Sequence, residues 1–108
     1  MMKNYRETDP EFAERVEHFT FDEVVNEPGQ QLDEVTRHMV ILATLLGCQG
    51  TDVFRRELPQ ALDAGVTPVM AKEIVYQAVD YLGMGRVLPF LDIANAVLTE
   101  RGVALPLE

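Results

Sequence analysis

An all-α fold is predicted by three features of the sequence. Apolar residues recur at three- and four-residue spacing through several stretches, each too long for a strand. Proline and capping residues stand at the starts of those stretches and glycines at their ends. No hairpin dipeptide and no run of strict apolar–polar alternation interrupts them. We expect a single domain, residues 1–108, of about six helices.

The first helix opens with Asp9 as cap and Pro10 in the first turn, and Phe12, Val16 and Phe19 share a face. A short piece from Phe21 to Val25 ends at the turn signal "NEPG", residues 26–29. In "LDEVTRHMVILATLLG", Asp33 caps and Glu34 suits the positive end of the dipole. Val35, Met39, Leu42 and Leu46 form the stripe, closed by Gly47 and Gly50. Thr51 or Asp52 is then expected to cap a helix carrying Val53, Phe54, Leu58, Ala61 and Leu62, stopped by Gly65. Pro59 should mark a kink there, because it cannot donate to the carbonyl of Arg55. The next helix starts at Thr67 and Pro68, buries Ile74, Ala78, Val79 and Leu82, and ends at Gly83. The last spans roughly 86–101, with Val87, Leu91, Ala94 and Leu98 on one face.

Composition narrows the function. Nine Lys and Arg stand against 18 Asp and Glu, a net charge of -9. Nucleic acid and anionic membrane both attract a basic face, so neither is expected as a partner. The single cysteine, Cys48, rules out an intrachain disulfide, a CxxC redox pair and a cysteine-built zinc site. No metal or cofactor is expected. "MVILATLLGC", residues 39–48, is too short to span a bilayer, and the first residues lack the apolar core of a signal peptide. A cytoplasmic location is expected. A chain of this size buries only about two-thirds of its unfolded surface. The apolar residues around 39–46 also exceed what one helix face needs, so a homo-oligomer is expected.

Few residues offer chemistry. His38 lies on the most apolar helix and can carry a proton near neutral pH; its plain alternative is a boundary histidine with a hydrogen bond. Glu57 precedes Pro59 by two residues, on the helix that should pack antiparallel to that of His38; its plain alternative is a surface carboxylate answering Arg55 or Arg56. Arg37, Arg55 and Arg56 could hold an organic acid, or simply face solvent. Cys48, at a helix end that disfavours thiolates, is expected to be an inert, packed thiol. "GMGR", residues 83–86, lacks a preceding strand and is expected to be a helix-to-helix turn.

From Asp9 to Val103 the sequence resembles the carboxymuconolactone decarboxylase family. The segment "ALDAGVTPVMAKEIVYQAVDYLGM", residues 61–84, carries the most specific part of the likeness. The resemblance implies an all-helical bundle like that of alkylhydroperoxidase D, assembled as trimers or hexamers. It also implies one of two activities: decarboxylation of a lactone dicarboxylate in aromatic degradation, or peroxide reduction by a CxxC pair.

Position by position, the chain departs from the peroxidase pattern. Gly50 and Val53 occupy the two cysteine positions, Glu57 the histidine position and His38 the glutamate position. The resemblance therefore implies a carboxylate and an imidazole that have exchanged places. We expect His38 and Glu57 to pair as acid and base, the carboxylate fixing the imidazole tautomer and leaving one ring nitrogen free to move a proton. Arg37, Arg55 and Arg56 are the expected substrate anchors. The expected activity is proton transfer or decarboxylation on a small lactone or organic acid. The alternative is a non-catalytic oligomeric binding protein on the same scaffold, with an alkylhydroperoxidase-type antioxidant role more remote.

Overall fold

The computed structural model describes residues 2–25 and 27–108. All regular structure among them is helical. A 3₁₀ turn at Lys3–Tyr5 precedes α1 (Pro10–Glu17), which runs into a π-helical segment, His18–Val24. Then come α2 (Glu34–Gly47), α3 (Thr51–Asp63), α4 (Pro68–Leu82) and α5 (Met84–Glu100). The five α-helices stand close to the six expected, the piece at Phe21–Val25 being continuous with α1 as a wider helix. The chain groups into two compact units, Met1–Leu32 and Asp33–Glu108.

In the first unit α1 and the π-helical segment form one uninterrupted helical stretch. Pro10 takes the first helical position as expected, but Asp9 makes no side-chain cap bond. The stripe expected from Phe12, Val16 and Phe19 is not a buried face: Phe12 and Phe19 are exposed, and Ala13 is the buried residue of α1. Of the expected "NEPG" turn, Asn26 lies outside the described residues. Pro28 and Gly29 do form a turn, with Gly29 at φ +90°.

The second unit is a four-helix arrangement in which α2 packs on α3, α3 on α5, α5 on α4 and α4 on α2. Leu42, Leu46, Phe54, Leu58, Val75 and Phe90 form the centre of its core. Asp33 and Thr67 cap as their residue types predict, accepting from the backbone N–H of Thr36 at 2.8 Å and of Met70 at 3.1 Å. On α4 the fully buried residues are Ala71 and Val75. Ile74, Ala78, Val79 and Leu82, expected in the core, pack against it half-buried.

Two local expectations are corrected. Neither Thr51 nor Asp52 caps α3: Gly50 holds the cap position with no side-chain bond. Gln49 at φ +62° reverses the chain, and the Gly50 N–H bonds the Leu45 carbonyl at 2.8 Å, leaving no room for a longer cap. Pro59 lies inside its helix, as expected, and the helix continues to Asp63. Gly83, at φ +86°, serves both α4 and α5, so α5 starts at Met84 and absorbs Gly85. "GMGR" is thus a helix junction. No helix among the described residues is long and apolar enough to cross a membrane.

Candidate functional site

Helical phase places the sequence-predicted residues. On α2, Met39, Ala43, Leu46 and Gly47 line a groove whose other wall is α4. His38 and Leu45 lie on the opposite flank of the core stripe, toward α3. On α3, Arg55 reaches Glu100 of α5 at 3.6 Å, which marks the α5 side of that helix. Glu57 stands about 200° around the axis from Arg55, on the side of α2. Both residues therefore belong to the α2–α3 seam.

Their burial differs. Glu57 is 2% exposed, on the same side of α3 as the core residues Phe54, Leu58 and Ala61. His38 is half-buried, but its Nδ1 is sealed from solvent and has no hydrogen-bond partner among the described residues. The pairing expected between Glu57 and His38 does not run through this nitrogen. His38 lies about 13 Å along the axis from the end of α2, and Glu57 about 9 Å from the start of α3. Helical side chains lean toward their own N-terminus, so across an antiparallel seam these two lean apart.

The arginines divide. Arg55 is exposed and committed to Glu100, stapling α3 to α5 on the far side of the helix from Glu57. Arg37 and Arg56 are half-buried, each next in sequence to a seam residue. Cys48 is exposed, contrary to the packed thiol expected. At the C-cap of α2 its Sγ lies 3.7 Å from the Leu45 carbonyl of the same helix. Among the described residues no group of His, Cys, Asp or Glu is arranged to hold a metal ion.

The groove between α2 and α4 escaped the sequence reading. It has a volume of about 540 Å³, with Met70, Ile74, Ala78 and Tyr81 on the α4 wall and Glu73 and Gln77 as its polar groups. Tyr81 is 90% exposed beside it. The available signal was the pair Met70 and Tyr81 on α4, apolar positions that flank Ile74 and widen the stripe beyond what the core needs.

The sequence pattern of the carboxymuconolactone decarboxylase family matches residues 10–96. A relative called 4-carboxymuconolactone decarboxylase, from Acinetobacter baylyi, is 27% identical over 103 residues, covering 95% of this chain and 75% of the relative. No solved structure gives a significant match. The all-helical build and a match across most of its length support one conclusion: this chain belongs to the carboxymuconolactone decarboxylase family.

Proposed function

We propose that this protein transfers a proton to or from a small lactone or organic acid, and that the reaction is a decarboxylation. The supporting observation is the buried, unbonded Nδ1 of His38. A buried polar nitrogen left unsatisfied costs about 1–3 kcal/mol. That cost is recovered when a ligand atom or a water enters the seam, which makes the imidazole a receptor for a reacting group.

In this reading the substrate's carbon–carbon bond to its carboxylate breaks and carbon dioxide leaves. The electron pair passes into the adjoining lactone carbonyl system, and the His38 imidazolium returns a proton to carbon. Arg37 and Arg56 anchor the anionic end. Glu57 disfavours a second substrate carboxylate close by, because like charges repel strongly away from water. The relative's name points to 4-carboxymuconolactone as the first substrate to try; the buried Glu57 favours lactones with fewer carboxylates.

The test is carbon dioxide release and solvent deuterium uptake with a panel of mono- and dicarboxylated lactones. Wild-type turnover should fall about 10²–10⁴-fold in His38→Gln. Glu57→Gln should lose rate but narrow the preference against dicarboxylates. Unchanged rates in both variants would refute the proposal. Saturable lactone binding without turnover would favour the second reading, a small-molecule-binding protein, which draws on the α2–α4 groove.

We further propose that copies of the chain associate, to trimers or hexamers, through the apolar α2–α4 face with Val40, Met70 and Tyr81 at its exposed rim. Tyr81→Glu should shift the sedimentation coefficient to that of the 12.2 kDa chain.

A further inference from the structure

His18 opens the π-helical segment with both of its ring nitrogens turned to carboxylates. Nδ1 is 3.2 Å from Asp22 Oδ2, and Nε2 is 3.4 Å from Glu23 Oε1. A neutral imidazole has one N–H donor and one lone pair, so it satisfies one carboxylate and repels the other. Only the imidazolium donates to both. The second contact also depends on the backbone. In an α-helix Glu23 would lie about 140° around the axis from His18, out of reach. The i→i+5 bonding of a π-helix widens the turn and brings residues 18 and 23 onto one side.

We propose that protonated His18 clamps this segment in its π-helical register, and that loss of the proton releases residues 18–24 toward the α-helical register of α1. α1, which runs straight into the segment, brings Glu11, Glu14 and Arg15 around the same shallow depression as His18. Its remaining charged residue, Glu17, accepts from Arg6 at 2.7 Å. The charged groups facing His18 are thus Glu11, Glu14, Asp22 and Glu23 with the single cation Arg15. The device ties the helical register of residues 18–24 to the charge on one side chain.

Through-hydrogen-bond NMR couplings in the full chain test this directly, because they report which carbonyl each amide bonds. At pH 5.5 the amides of Glu23 and Val24 should couple to the carbonyls of His18 and Phe19, five residues back. At pH 8.5 the π-to-α population ratio should fall about fivefold, the worth of one exposed ion pair. In His18→Gln the ratio should sit at its high-pH value and no longer change with pH; in Glu23→Gln the pH response should weaken while the fold of residues 33–108 is unaltered. Equal i→i+5 couplings at both pH values in the wild type, or an undiminished pH response in His18→Gln, would overturn the proposal.

Discussion

Phe54 and Phe90 meet edge to face, their ring centroids 5.1 Å apart and their planes at 90°. Both are fully buried, and the contact ties α3 to α5 at the turn immediately before Glu57. The arrangement sets the positive edge of one ring against the negative face of the other, a geometry worth about 0.5–1.5 kcal/mol beyond burial.

Phe90→Ala should therefore cost about 3–5 kcal/mol in equilibrium denaturation, since it leaves a cavity and strips Phe54 of its partner. Phe90→Leu keeps most of the volume and should cost less. If the ring pair matters in its own right, the leucine variant should still lose more than transfer free energy alone accounts for. Urea melts of the two variants against wild type settle the ordering.

His38 sets stability against activity. Its Nδ1 is buried without a hydrogen bond, so His38→Leu, which replaces the ring with an apolar group of similar size, should raise stability by about 1–3 kcal/mol. The same change should abolish lactone turnover. A His38→Leu protein less stable than wild type would mean that the imidazole makes a favourable contact in solution, and the receptor role would fail with it.

The helices were legible because their signals are local. Asp33 and Thr67 cap where short polar side chains precede an apolar period, and Gly65 and Gly83 take the positive φ that other residues resist. The seam was legible only in part. His38 and Glu57 could be assigned to adjoining faces from their spacing, but not their lean along antiparallel axes, which depends on where the turn at Gln49 sets the register. The fate of Arg55 was illegible, since Glu100 lies far away in sequence and is paired by the packing of α5. Cys48 was misjudged because its own helix end turns it outward, which residue type cannot reveal.

Asp33 gives a pH dependence whose direction is fixed. The Thr36 backbone N–H, then the Thr36 side chain and the charge of Arg37, hold its carboxyl below the usual carboxylate range. A lowered folded-state value means that the cap's contribution is fully present above the unfolded aspartate value of about 4 and is lost as pH falls through the folded value. The group is fully exposed, so the effect on melting temperature should be small. Comparing acid melts of wild type and Asp33→Asn should show the two curves converging below pH 4, with the wild type ahead above it. Parallel curves throughout would mean that the cap is not charge-dependent.

Gly65 is held by two constraints that a double-mutant cycle can separate. It ends α3 at φ +116°, with the Val66 N–H bonding back to the Ala61 carbonyl at 3.0 Å. A methyl group added there would sit 3.0 Å from Val35 Cγ2, in the first turn of α2. Gly65→Ala should cost about 1–3 kcal/mol, more than the entropy gained from a stiffer unfolded chain. If the clash carries most of that cost, adding Val35→Ala should relieve it, and the pair should be less destabilising than the summed single changes by about 0.5 kcal/mol or more. If the backbone carries it, the two losses should simply add. We expect the first outcome, because Val35 Cγ2 stands on a capped helix start that has little room to withdraw. Denaturant titrations of the four proteins decide it.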